Sequence, residues 1–146
     1  MPIYLGADHG GFALKEKIKP WLSLWGYAYE DVGAVTLVAG DDYPVYASAV
    51  ARRVAQNPQG NKGILICRSG GGMAIAANRH HNIRAVDCAT IEAATYARGR
   101  NDANILTLPA EWITDALVEQ IVRTFLETPF LRNERDVRRI AMLDHD

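Results

Sequence analysis

The sequence predicts an α/β protein: a five-stranded parallel sheet with helices on both faces. Two observations carry this. Short apolar runs alternate with amphipathic helical patterns along the whole chain, an order that favours parallel strands joined by right-handed crossovers. The run Lys62-Gly63-Ile64-Leu65-Ile66-Cys67-Arg68-Ser69-Gly70-Gly71-Gly72 ends a buried-type strand in a thiol, a hydroxyl and three glycines, just ahead of a helix. Such a turn lies at the carboxyl edge of the sheet, where α/β proteins bind small molecules.

Each element follows in order. Ile3 to Ala7 reads as the first strand. Leu14, Ile18, Trp21, Leu22 and Trp25 then recur at helical spacing, which places the two tryptophans toward the core and Lys15, Lys17 and Lys19 toward water. Gly26 ends that helix, Tyr27 to Val32 forms the second strand, and residues 33–42 form a loop. Pro44 opens a helix through Tyr46, Val50 and Val54, closed by the turn Asn57-Pro58-Gln59-Gly60. Strand three is Gly63 to Cys67 and its helix runs over about Met73 to Arg79. Ile83 to Cys88 is strand four, Thr90 to Arg98 a helix, and Ile105 to Leu108 strand five. Ile113, Leu117, Ile121, Val122 and Phe125 mark an amphipathic helix that Pro129 closes, and an arginine-rich helix covers residues 131–146.

With 146 residues, the chain makes one domain over residues 1–146. A net charge of −1 and 23% charged residues argue against a nucleic-acid or membrane-surface protein. No run of about 18 apolar residues is present to span a membrane. The first residues lead straight into a strand, without a basic and then apolar leader, and two cysteines outside any metal-type spacing with the histidines fit a reducing cytoplasm. His80-His81 follows a helix and reads as a solvated terminus. No metal or cofactor is expected.

Reactive groups gather at three places: Asp8-His9 after strand one, Cys67-Arg68-Ser69 after strand three, and Arg100-Asn101-Asp102 before strand five. The first two share the carboxyl edge of a parallel sheet. Asp8 also fits a helix cap, and Cys67 a buried packing thiol. The glycines after strand three lack the Gly-Lys-Ser/Thr ending of a P-loop, and neither glycine turn completes a dinucleotide fingerprint.

Five blocks, Gly6-Ala7-Asp8-His9-Gly10-Gly11-Phe12-Ala13-Leu14-Lys15, Asp42-Tyr43-Pro44-Val45-Tyr46-Ala47, Ile75-Ala76-Ala77-Asn78-Arg79, Ile83-Arg84-Ala85-Val86 and Asn101-Asp102-Ala103-Asn104-Ile105-Leu106, stand in order along the chain. Together they resemble the ribose-5-phosphate isomerase B / galactose-6-phosphate isomerase family. The resemblance implies a Rossmann-like α/β/α sandwich in homodimers or homotetramers, a metal-free aldose–ketose isomerisation of a sugar phosphate through an enediolate, and sites shared between subunits. It makes Cys67 the general base, since the alternative glutamate position holds Met73. The resemblance further implies that Ser69 shuttles protons, that Asp8 and Tyr43 contact the sugar, and that Gly70, Gly71, Gly72 and Asn101 face the enediolate. Arg135 and Arg139, four residues apart on one helical face, clamp the phosphate of a neighbouring subunit with His9 assisting. A free thiol ionises near pH ~8.5, so a base of this kind needs a positive neighbour such as Arg68 or a helix start.

Three positions depart from the family pattern. Arg100 stands where the ring-opening histidine is usual, Glu111 replaces a phosphate-binding arginine, and Arg68 replaces a glycine. Arg68 and Arg100 restore cations near the anion site, yet an arginine makes a poor proton shuttle. A four-carbon sugar phosphate, which needs no ring opening, is one consequence. An isomerase of free sugars, motivated by Glu111, and a non-catalytic sugar-binding or heteromeric partner subunit are the alternatives.

Overall fold

The structure is a computed structural model that describes residues 1–144. Five strands, β1 (Ile3–Ala7), β2 (Tyr29–Asp31), β3 (Lys62–Cys67), β4 (Ala85–Asp87) and β5 (Ile105–Pro109), form one sheet in the order β2-β1-β3-β5-β4. Every pairing is parallel. Six helices connect or follow them: α1 (Phe12–Leu24), α2 (Tyr43–Ala55), α3 (Gly71–Ala77), α4 (Ile91–Gly99), α5 (Asp115–Glu127) and α6 (Glu134–Met142). A short 3-10 turn over Ala110–Trp112 follows β5.

Alternation along the central strands divides the interior. Ile3, Leu5, Ile64, Ile66, Leu106 and Leu108 pack with α1, α4 and α5, including Leu14, Ile18, Ala94, Ile121 and Phe125. Leu65, Cys67 and Ile105 face α2 and α3, against Val50, Val54, Met73 and Ala77. β3 is buried along its whole length, as a central parallel strand covered on both faces must be. Among the described residues no helix is long and apolar enough to cross a membrane.

The expected elements are present, with shifted ends. The two outer strands are shorter than their apolar runs because each pairs on one side only; Tyr27, expected in β2, instead donates its N–H to Leu22 O and closes α1. Residues 131–133 precede α6 rather than joining it, and the last two residues of the expected helix lie outside the described residues.

Lys15 corrects the expectation of a solvated α1 face. It is fully buried, its ammonium bonded to Asp31 at 2.8 Å and to the Ala34 carbonyl, and it lies over the Phe12 ring. The position follows directly on Leu14 and points into the seam where β2 ends, so the stem packs and the charge finds a carboxylate. Lys17 and Lys19 are paired at the surface with Asp115 and Glu16, and Lys19 also reaches Asp31. Trp21 and Trp25 stack against each other at the margin of the core, 6.5 Å apart, while Trp112 is exposed.

Candidate active site

At the carboxyl edge of the sheet the turns after β1 and β3 touch. A methyl group on Gly10 would lie 2.6 Å from Arg68 Cγ, and one on Gly11 would collide with the Ile66 carbonyl, so only glycine permits this approach. Asp8, 7% exposed, accepts the Gly10 and Gly11 N–H groups through Oδ1 at 2.9 and 3.1 Å. It therefore organises the turn before α1, whose cap position proper is Gly11.

Cys67 ends β3 and is 5% exposed. Its Sγ accepts the Gly70 N–H at 3.1 Å, and Ser69 Oγ accepts the Gly71 N–H at 3.2 Å. Two of the three glycine amides thus hold the thiol and the hydroxyl in place. The Gly72 N–H has no partner among the described residues, and the Ser69 hydroxyl keeps its own proton to donate. Gly70 has φ +78, and a side chain there would strike the Asp87 carboxylate. The Tyr43 ring lies against Gly72, 2.8 Å from where a methyl group would be.

Cys88, the second thiol, is fully buried; burial and then the charge of Asp87 push it up to about 12. It is a packing residue.

His9 leans on a carboxylate that sequence reasoning did not single out. Asp41 Oδ1 accepts the His9 amide at 2.8 Å and lies 2.9 Å from His9 Nδ1, and Asp41 Oδ2 accepts the Tyr46 hydroxyl at 2.8 Å. Burial alone would raise the Asp41 carboxyl, but the hydrogen bonds from His9 and Tyr46 outweigh it and hold it below the usual range. Asp8, His9 and Asp41 bring one donor atom each within 4.8 Å of one another, a set able to take a cation, yet the turn amides and the His9–Asp41 bond already engage them. The pairing spans 32 residues, which is why no local pattern announced it.

Arg100 and Asn101 lie elsewhere. They follow α4 and precede β5, so they belong to the amino edge of the sheet, where with Arg139, Asn78 and Arg84 they line a cavity of about 470 Å³. β5 has 5 residues, and at about 3.3 Å per residue it separates the two edges by roughly 15 Å. One chain does not bring Cys67 and Asn101 together. Arg100 is bound by Asp136 of α6, Nε to Oδ2 at 2.6 Å and a second bond at 3.3 Å. Asp136 is only 6% exposed; the Arg100 hydrogen bond, opposed by burial and helped by Asn133 and Arg135, holds its carboxyl low. Arg135 and Arg139 are exposed, and of the two only Arg139 lines this cavity. Glu111 sits at the carboxyl edge, donating its N–H to the Arg68 carbonyl at 3.0 Å, so the cation and anion substitutions noted above are neighbours.

Residues 3–143 match the ribose/galactose isomerase family. The chain belongs to that family. A ribose 5-phosphate isomerase B from Thermotoga maritima shares 43% identity and superposes with a TM-score of 0.93, covering 99% of this chain and 98% of that one. The ribose-5-phosphate isomerase B of Mycoplasma genitalium, solved with bound ribulose-5-phosphate, has 34% identity and a TM-score of 0.95 over 99% of this chain and 94% of that one. A 4-deoxy-4-sulfo-D-erythrose isomerase from a Clostridium strain is 37% identical over 139 residues, 94% of this chain and 86% of the relative. The five-stranded sheet is the architecture that family membership implied.

Proposed function

We propose that the protein is an aldose–ketose isomerase of sugar phosphates, of the ribose 5-phosphate/ribulose 5-phosphate type, working through an enediolate. The observation that carries this is the Cys67 thiol held at the carboxyl edge by Gly70, beside the Ser69 hydroxyl and against the Asp8-His9 turn. Cys67 takes the proton from the carbon next to the carbonyl. Ser69 passes protons between the two sugar oxygens, the unpaired Gly72 amide faces the developing negative oxygen, and Asp8 and Tyr43 hold hydroxyls.

The phosphate is bound by Arg135 and Arg139 of a second copy, whose amino-edge cavity faces the catalytic edge of the first and also brings Asn101 to the sugar. The separation of the two residue sets within one chain supports a homodimer, or a homotetramer built from such pairs. Two free cysteines agree with a cytoplasmic enzyme.

A second reading is favoured by the Arg100–Asp136 ion pair. A guanidinium is too weak an acid to hand a proton to a ring oxygen and take it back, so a four-carbon substrate that never closes a ring fits this chain, and the sulfo-erythrose isomerase relative agrees.

Initial rates on tetrose, pentose and hexose phosphates and on the free sugars test both readings. Turnover of phosphorylated sugars above free ones is expected, and faster turnover of a tetrose phosphate than of ribose 5-phosphate selects the second reading. Binding of all of them without turnover by any contradicts both.

A further inference from the structure

Resting on the reading of Cys67 as the base, we infer that Asp87, braced by Thr107, is a positioning residue for it: the carboxylate holds Gly70 in the left-handed conformation that keeps the Gly70 N–H on the Cys67 thiol. Three consecutive glycines give the loop after β3 more backbone freedom than any other sequence would, so its shape is set by what surrounds it. Each glycine has one side chain against it. The Tyr43 ring lies on Gly72, Ser69 Oγ accepts the Gly71 N–H, and at Gly70 the neighbour is Asp87. A β-carbon on Gly70 would lie 2.0 Å from Asp87 Oδ1, so the Cα–H in that place faces the carboxylate oxygen. Held on that side, with φ +78, Gly70 directs its N–H to Cys67 Sγ at 3.1 Å.

The brace is part of the sheet. Asp87 ends β4 opposite Thr107 of β5, and Thr107 in turn stands opposite Leu65 of β3. Cys67 is two residues beyond Leu65 and shares its face, so brace and base lie on one side of the same three strands. Asp87 Oδ1, the oxygen that meets Gly70, accepts the hydroxyl of the fully buried Thr107 at 2.9 Å. No cation offsets this carboxylate. Packing around it raises its carboxyl above the usual range, and the Thr107 hydroxyl is the group that opposes the rise. Its charge also falls on the neighbouring Cys88 thiol. A carboxylate kept in so unfavourable a place has its explanation in the glycine it touches.

The test uses Asp87→Ala, Asp87→Asn, Thr107→Val and the double variant Asp87→Ala/Thr107→Val on ribose 5-phosphate. For Asp87→Ala, kcat falls about 10–100-fold with KM within about threefold, because a displaced base loses rate without losing substrate. Asp87→Asn keeps an acceptor oxygen and stays within about threefold of wild type. Thr107→Val lowers kcat by less, and the double variant is no worse than Asp87→Ala, since both changes break one chain of contacts. Apart from activity, hydrogen exchange at the Gly70 amide quickens by at least about tenfold in Asp87→Ala and not in Asp87→Asn, while the Leu65 amide of β3 exchanges as in wild type. Unchanged kcat and Gly70 exchange in Asp87→Ala, equal losses in the alanine and asparagine variants, or additive losses in the double variant overturn the inference. If Asp87→Ala does not fold, Asp87→Asn at wild-type kcat with Thr107→Val below it upholds the inference, and any other order overturns it. Full activity in Cys67→Ala would instead refute the reading of Cys67 as the base, while the Gly70 exchange rates would still report on the brace.

Discussion

Arg100 and Asp136, 36 residues apart, meet through two hydrogen bonds, the shorter 2.6 Å, and tie the end of α4 to α6. Arg100, which departs from the family pattern at the position of the ring-opening histidine, is thereby a clamp on the terminal helix. Arg100 further stacks over Tyr96 at 5.5 Å, which fixes the cation from a second side.

Asp136→Asn will lower the thermal midpoint at neutral pH. The carboxyl is held low by Arg100 in the folded protein, so the stability it contributes is present above the usual carboxylate range and is lost as pH falls through its depressed value. Melting curves from pH 7 down to pH 3 should show the variant and wild type converging. A constant difference across that range would contradict the ion pair.

The Lys15–Asp31 pair makes a larger demand. Asp31→Ala strands a fully buried ammonium, a loss of about 3–5 kcal/mol by analogy with other broken buried pairs. Replacing both residues by apolar ones of similar size recovers most of it. Burial alone would raise the Asp31 carboxyl, but Lys15, Lys19 and the Gly33 amide together hold it low, so this contribution also fades on acidification. Urea unfolding of Asp31→Ala and of the double variant checks the prediction.

Both ion pairs show what the sequence could and could not reveal. Apolar patterning located the five strands and the helices that pack on the sheet, because burial leaves a local trace; α6, whose only buried residue is Asp136, was marked instead by its run of arginines. Lys15 and Asp136 left none: each reads as one more surface charge until its partner, 16 or 36 residues away, is placed beside it. Asp41 is the same case at the catalytic edge. The separation of Asn101 from Cys67 was legible in principle, since a residue before a strand and a residue after one occupy opposite edges of a parallel sheet.

Gly11→Ala should destabilise by about 1–3 kcal/mol or more, because the new methyl group meets the Ile66 backbone carbonyl, which cannot swing aside. At Gly71 the nearest atom to such a methyl is 3.6 Å away, so Gly71→Ala leaves stability nearly unchanged. Chemical denaturation of the two variants separates them; equal midpoints would refute the close packing of the β1 and β3 turns.

The proposed sharing of sites between copies predicts complementation. Cys67→Ala and Arg139→Ala are each expected to be nearly inactive as homo-oligomers. Unfolded together and refolded as a mixture, they form hetero-oligomers in which one site carries both changes and the other neither, and activity returns toward about half of wild type per mixed pair. A mixture no more active than its parts would place the whole site within one chain.

The most direct measurement is solvent deuterium incorporation into the carbon beside the carbonyl of ribose 5-phosphate. Wild type and Cys88→Ala should wash in deuterium together with turnover, while Cys67→Ala should lose both by about 100-fold or more with its fold intact by circular dichroism. Exchange that continues undiminished in Cys67→Ala would contradict the assignment of the Cys67 thiol as the base.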